Sequence, residues 1–149
     1  MKKLFLLTII FSMNFSLAAP LAQDAPERKQ LIAMGYDIEK EDAGDTFTIA
    51  NIGSTRIVFS KNDERLAITR VFNIERKLSK EDEFELLKIL NRFNETYSYQ
   101  FALGKQSLSS SLFIFGSHDA RTFAKTVRLI DRVNSVFDTE PKFFKLVNN

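Results

Sequence analysis

The apolar and polar positions of this chain separate an apolar N-terminal segment from a series of amphipathic elements. Met1-Lys2-Lys3 is followed by an apolar run from Leu4 to Phe15 and then by the small-residue sequence Ser16-Leu17-Ala18-Ala19. A cationic start, a short apolar run and a small-residue exit predict a secretory signal peptide. The run is shorter than the roughly 20 residues that a transmembrane helix needs. We therefore expect residues 1–18 to be a signal peptide that is cleaved after Ala18.

The first half of the remaining chain predicts a helix followed by three strands. Residues 19–25 are typical of a flexible leader, Pro26 suits the first turn of a short helix, and Gly35 is placed to end that helix. Residues 37–45 are acidic and polar. Alternating apolar and polar positions then predict strands at 46–51, 55–60 and 66–74.

The second half predicts a helix, a hairpin and a last helix. Ser79, followed by acidic residues, is a helix N-cap. The apolar stripe of that helix is predicted to comprise Phe84, Leu87, Leu90 and Phe93, widened by Leu86 and Ile89. Strands at 97–103 and 108–115 follow, and the serines at 109–111 suggest an edge strand with one wet face. Ser117 is the predicted cap of a long helix, which Pro141 ends before an apolar tail.

The order of these elements predicts an α+β domain. It is α-β-β-β-α-β-β-α, an antiparallel sheet packed by helices. The length of the chain after the signal fits one domain at 26–149.

The second half also resembles a known family. The helix Phe84-Glu85-Leu86-Leu87-Lys88-Ile89-Leu90-Asn91-Arg92-Phe93 precedes the hairpin strands Tyr99-Gln100-Phe101-Ala102-Leu103 and Leu112-Phe113-Ile114-Phe115, and a helix begins near Ser117. This arrangement resembles the YbjN-like family, which shares its fold with type III secretion chaperones. The resemblance covers 26–140. It implies a non-enzymatic domain that binds protein partners, often as a homodimer, and it supplies no catalytic residues.

Charge and cysteine content narrow the possible functions. The chain has 21 Lys and Arg against 19 Asp and Glu, and Lys2 and Lys3 lie in the predicted signal, so the mature chain is neutral. A neutral chain lacks the electrostatic attraction that nucleic-acid binding needs. The chain has no cysteine. This excludes a thiolate nucleophile, a Cys zinc site, a disulfide and a lipid-modified N-terminal Cys. We expect a periplasmic or secreted protein with no integral membrane segment after cleavage.

The sequence contains few combinations of residues that could form a catalytic or metal site. His118 is the only histidine, and although Ser117 and Asp119 flank it, successive residues entering a helix point in different directions. An ordinary surface histidine is the favoured interpretation, and a hydrolase ranks last. The acidic run at 81–83 lacks the alternating ligands and glycine of a calcium loop. We therefore expect no catalytic residue, no cofactor and no metal.

Two features are candidates for partner binding. Arg70 falls between Ile68 and Phe72 on the apolar face of a strand. It either extends to solvent at the sheet edge, pairs with a carboxylate of the long helix, or lines a partner groove. The tail residues Phe143, Phe144 and Leu146 either cover the core or dock a partner.

These features favour an exported, non-enzymatic protein-interaction module, an adaptor or chaperone-like binder. The alternative is a periplasmic carrier of a small ligand or lipid, with a Phe-lined cavity between the sheet and the long helix.

Overall fold

The computed structural model describes residues 18–148, so the predicted signal peptide lies outside the described residues except for Ala18. The elements are, in order, α1 (Pro26–Ala33), β1 (Asp37–Ile38), β2 (Thr48–Ile52), β3 (Thr55–Lys61), β4 (Arg65–Asn73), α2 (Lys80–Thr96), β5 (Gln100–Leu103), β6 (Ser107–Phe115), α3 (Ala120–Asp131), α4 (Asn134–Phe137) and α5 (Pro141–Asn148). Among residues 18–148, no helix has the length and apolar content needed to cross a bilayer.

The strands form one antiparallel sheet in the order β1-β2-β3-β4-β6-β5. Its longest ladder joins β4 to β6, from Arg65↔Phe115 to Asn73↔Ser107. The chain between β4 and β5 passes through α2, so the β5–β6 hairpin returns with β6 beside β4. The predicted α+β class with an antiparallel sheet is confirmed.

The helices divide the core into two large clusters on one face of the sheet. The first joins α1 and α3 to the central strands and includes Leu31, Ile57, Phe59, Ile68, Phe123 and Val127. The second gathers α2, α4 and α5 around the β5–β6 end and includes Leu86, Phe93, Phe101, Leu108, Phe137 and Phe143. A small third cluster of Phe47, Ile49 and Val58 lies on the opposite face, because these residues alternate with the inward-facing ones.

Helix α2 begins as predicted, but its buried stripe is rotated. Ser79 is the N-cap, and its hydroxyl accepts a hydrogen bond from the backbone N–H of Asp82 at 3.1 Å. Phe84 and Leu87, which were predicted to be buried, are 59% and 40% exposed. The buried residues are Leu86, Ile89, Leu90 and Phe93. The helix packs against β5 and α5 along one side only, and Phe84 and Leu87 lie outside that side.

The N-terminal part departs from the prediction at two points. Gly35, with φ of +88°, follows α1 as expected, but the polar segment after it contains the short strand β1, which pairs with β2 through Ile38↔Ala50. The leader at 19–25, predicted to be flexible, is packed into the domain. Leu21 is 1% exposed, and its backbone N–H donates to Thr48 Oγ1 at 2.9 Å.

The C-terminal part is more divided than the sequence predicted. Asp119, not Ser117, caps α3, because its Oδ1 accepts a hydrogen bond from the Thr122 N–H at 2.7 Å. The predicted long helix ends at Asp131, and α4 is a separate short helix. The apolar tail predicted after Pro141 is a helix, α5, which begins at Pro141, since proline is tolerated at the first helical position.

The prediction of an edge strand at the serine run is wrong. Strand β6 lies between β4 and β5, and Ser109, Ser110 and Ser111 have no exposed surface. The Ser111 hydroxyl is hydrogen-bonded to the Thr69 hydroxyl of β4 at 2.8 Å, so a run of serines does not require a solvent-exposed face.

Candidate functional site

A cleft of about 510 Å³ opens between the end of the sheet and helices α4 and α5. We call it the Arg–Phe cleft. Its lining residues are Asn51, Ser54, Arg56, Arg70, Val71, Phe72, Asn73, Ile74, Leu108, Asn134, Phe137, Phe143, Phe144 and Val147. One part of this lining is cationic and one part is aromatic, and among residues 18–148 no acidic side chain belongs to it.

The cleft arises because β3 and β4 part near their ends. Their pairing stops at Ile57↔Arg70, whereas β4 stays paired with β6 as far as Asn73↔Ser107. Beyond Arg70, the side of β4 that faces β3 carries no ladder partner from β3. Ser54 and Arg56 line the cleft on one side of this fork, and Val71 to Asn73 line it on the other.

Arg70 stands at the closed end of the fork. It is in phase with Ile68 and Phe72 on β4, as predicted, and its guanidinium lies 4.7 Å from the centre of the Phe72 ring. Its Nη1 donates to the backbone carbonyl of Asp131 at the end of α3, where the helix dipole favours a cation. Burial lowers the pKa of Arg70, although the carboxylate of Asp131 opposes this shift.

Tyr36 completes the contacts behind Arg70. Its hydroxyl donates a hydrogen bond to Asp131 Oδ2. Burial, and then the bond to Asp131, raise the pKa of the Tyr36 hydroxyl. Asp131 Oδ1 is buried and finds no hydrogen-bond partner in the described part of the chain. Arg70 is therefore held from behind by a network that joins β4, α3 and the segment after α1.

Arg56 is the second cation of the cleft. Its Nη2 donates to Glu39 Oε2 at 3.1 Å, while its Nε is buried and has no hydrogen-bond partner within residues 18–148. Neither Glu39 nor Asp131, the acidic partners of the two arginines, lines the cleft. Arg70 shares the face of its pair partner Ile57, and Arg56 precedes Ile57, so the two arginines line the cleft from opposite faces of the sheet.

The opposite wall of the cleft is aromatic. Phe137 and Phe143 are stacked with their centres 4.2 Å apart and their planes 9° apart, and Phe72 meets Phe137 edge-on at 5.2 Å. Phe144 lies against Phe143 at 5.5 Å and is 39% exposed. This wall offers apolar surface to an incoming group, and Phe144 is its accessible part.

The structure brings three of the four predicted partner-binding residues together. Arg70, Phe143 and Phe144 line the Arg–Phe cleft, but Leu146 does not. Leu146 lies in a separate depression between α2 and α5, and its backbone carbonyl accepts a hydrogen bond from Arg76 Nε at 3.0 Å. Arg56 was missed, because an arginine at a polar position of an alternating strand gives no signal in the sequence.

His118 has different neighbours from those its sequence position suggests. Its Nε2 lies 3.0 Å from Glu27 Oε1, and Lys61 Nζ lies 3.7 Å from the same oxygen. Asp119 is engaged as the cap of α3, and the Thr122 N–H that it binds holds the pKa of its carboxyl low. Within residues 18–148, no group of three or more His, Cys, Asp or Glu side chains is placed to hold a metal ion.

Comparison with known proteins adds no relative to these observations. No protein-family model matches the chain, and a search of curated proteins found no match. The resemblance to the YbjN-like family stays a prediction.

Proposed function

We propose that this protein is an exported, non-enzymatic protein-interaction module of the cell envelope, which binds a partner through the Arg–Phe cleft. The observation that carries the proposal is the convergence of Arg70 and Phe144 on one cleft, although they come from distant parts of the chain. A YbjN-like domain related in fold to type III secretion chaperones is part of the proposal, and an antiparallel sheet with helices packed against it is consistent with that fold.

The composition of the cleft favours binding of a protein segment. Aromatic residues and arginine are enriched at the centres of protein interfaces, where they supply apolar contact area and multiple hydrogen-bond donors. Here Phe144 is partly exposed, and Arg70 is held in place by the Asp131 carbonyl. A side chain fixed before binding loses less conformational entropy when a partner arrives.

Site-specific photo-crosslinking in the intact cell envelope tests this proposal. A photoreactive amino acid replaces Phe144 in one variant and the exposed Ile32 of α1, 63% exposed and outside the lining of the cleft, in a control. We expect a crosslinked protein adduct from position 144 and none from position 32. Adding Arg70→Gln to the position-144 variant should remove the adduct, whereas Arg128→Gln, at an exposed arginine of α3, should leave it.

Equal crosslinking from both positions, or an adduct that is indifferent to Arg70→Gln in a folded protein, contradicts the proposal. Thermal unfolding of each variant shows whether it is folded.

A periplasmic carrier of a small ligand or lipid is the second candidate. The cleft volume of about 510 Å³ lies in the range of pockets that hold small ligands. Native mass spectrometry of freshly purified protein separates the two candidates. A co-purified lipid or metabolite that is lost in Phe144→Ala favours the carrier, and a ligand-free mass accompanied by the crosslinked adduct favours the interaction module.

A further inference from the structure

We propose that the Arg–Phe cleft captures the C-terminal end of an extended peptide, which adds as a short strand beside Val71 to Asn73 and places its terminal carboxylate between Arg56 and Arg70. This inference rests on the proposed function and gives the chemistry of the partner.

The shape of the fork between β3 and β4 allows a bound strand to stop at Arg70 but not to continue past it. Beyond the Ile57↔Arg70 pair, β4 has no partner from β3, but before that pair β3 occupies the same side of β4 without a break. A strand that enters from the Asn73 end therefore cannot continue past Arg70. An internal peptide segment would have to turn away at this point, whereas a chain terminus stops there.

The charge of the fork selects the C-terminus over the N-terminus. Arg70 stands at the last β3–β4 pair on the face of the sheet that carries Phe72, and Arg56, which precedes Ile57, lines the cleft from the opposite face. Guanidinium groups match a carboxylate and repel an ammonium group. A peptide that stops here with its carboxylate runs antiparallel to β4, in the direction of β3.

The side chains of β4 determine which residue of the peptide contacts the aromatic wall of the cleft. In an antiparallel pair, directly opposite side chains lie on the same face of the sheet. A peptide residue opposite Phe72 therefore points toward Phe137, which meets Phe72 edge-on and is itself stacked on Phe143. Because the terminal carboxylate lies near Arg70, this residue is one of the last two, and we expect it to be apolar.

Binding of two peptide pools to the purified exported protein tests the inference. One pool contains random heptapeptides with a free C-terminal carboxylate, and the other contains the same sequences with a C-terminal amide. We expect the carboxylate pool to be enriched in peptides with an apolar residue at one of the last two positions. Amidation of an enriched peptide should weaken its binding about tenfold or more, because a charge-assisted hydrogen bond is lost.

Matched variants assign the effect to the cleft. Arg70→Gln and Arg56→Gln should bring the carboxylate and amide forms to similar affinity, while Arg128→Gln preserves the difference. Arg56 is partly exposed, so its variant gives the result even if Arg70→Gln does not fold. Hydrogen exchange should slow for at least one backbone amide within Val71 to Asn73 when an enriched peptide binds.

Equal binding of the two forms to the unaltered protein, no binding in either pool, or no slowing within Val71 to Asn73 overturns the inference. The crosslink from position 144 distinguishes this failure from failure of the proposed function. An adduct that depends on Arg70, in a protein that does not discriminate carboxylate from amide, overturns C-terminal capture alone.

Discussion

At the scale of single residues, buried polar groups join segments that are far apart in the sequence. The Tyr36 hydroxyl, the Asp131 carboxylate and the Arg70 guanidinium connect the segment after α1, the end of α3 and strand β4. A buried polar group that loses its partner costs more free energy than the bond itself contributes. These contacts therefore fix the position of Arg70 in the cleft.

Tyr36→Phe removes the hydroxyl from this network, and we expect it to lower the free energy of unfolding by about 1 to 3 kcal/mol near neutral pH, because Asp131 Oδ2 loses its hydrogen-bond donor. The pKa of Tyr36 is raised in the folded protein, so its contribution is fully present below the ordinary tyrosine pKa of about 10 and is lost as the pH rises above it. Urea unfolding at pH 8 and above pH 10 should show a steeper alkaline loss for the unaltered protein than for Tyr36→Phe. Tyr97→Phe is the control, and an equal alkaline slope for all three proteins would contradict the expectation.

Glu27 is the second residue on which a buried polar cluster depends. It is 6% exposed and lies within ion-pair distance of His118 and Lys61. We expect Glu27→Ala to cost about 1 to 3 kcal/mol of unfolding free energy, because the buried Nε2 of His118 loses its carboxylate neighbour. Urea denaturation of Glu27→Ala, His118→Ala and the double variant measures the coupling of the two residues. Additive effects would show that they do not interact, and the exposed Glu75→Ala serves as the control.

At the scale of elements, α5 is a structural part of the domain that also forms a wall of the cleft. Phe143 packs against Phe93 and Phe137, and Val147 is 8% exposed in the same cluster. The helix therefore covers the core, as the more conservative interpretation of the tail predicted, while it presents Phe144 to the cleft.

Two neighbouring phenylalanines of α5 separate these roles. We expect Phe143→Ala to cost about 3 to 5 kcal/mol, because a fully packed aromatic side chain is removed from the core. Phe144→Ala, at a position 39% exposed, should cost much less and should instead weaken partner binding. Thermal unfolding of the two variants measures the loss of stability, and the crosslinking assay measures the loss of partner binding. A similar loss of stability in the two variants would argue against the division.

Several elements were predictable because they depend on local chemistry. Alternation around Ile57 and Phe59 places β3, and the Ser79 cap places the start of α2, since both signals lie within a few residues. The break between α3 and α4, the pairing of β1 and the rotation of the α2 stripe depend on which elements pack together. Those contacts join distant segments, so no short window of sequence contains them.

The candidate site was predictable to a smaller extent. Arg70 could be predicted as a candidate for partner binding because a cation on an apolar strand face is unusual. The tail could be predicted because it is rich in phenylalanine. The fork between β3 and β4, the contribution of Arg56 and the contact of His118 with Glu27 result from the three-dimensional arrangement alone. The resemblance to the YbjN-like family implies protein binding without naming any of these residues.

At the scale of the whole molecule, the leader at residues 19–25 is an integral part of the packed domain. Leu21 belongs to the first core cluster, and its backbone carbonyl accepts a hydrogen bond from Arg28 Nε at 2.9 Å. Arg28 is itself buried and pairs with Glu41. The leader therefore links α1 to the segment before β2.

Leu21→Ala tests this integration. We expect a loss of about 2 to 5 kcal/mol, as for other buried leucines, whereas Leu87→Ala, which removes the same atoms from a 40% exposed position, should cost far less. Chemical denaturation of both variants measures the difference. If Leu21→Ala proved as mild as Leu87→Ala, the leader would not be needed for stability.

The bridge at the start of the described chain restricts how the protein can be joined to anything else. Both backbone groups of Ala19 pair with Lys61, with N–H···O distances of 2.8 and 2.9 Å, so a fusion tag attached directly before Ala19 begins inside a hydrogen-bonded pair. A bulky domain fused at that junction would strain the hydrogen bonds between Ala19 and Lys61 and disturb Leu21, two residues later. A purification handle therefore needs a glycine-rich spacer that lets the added chain leave the strand freely.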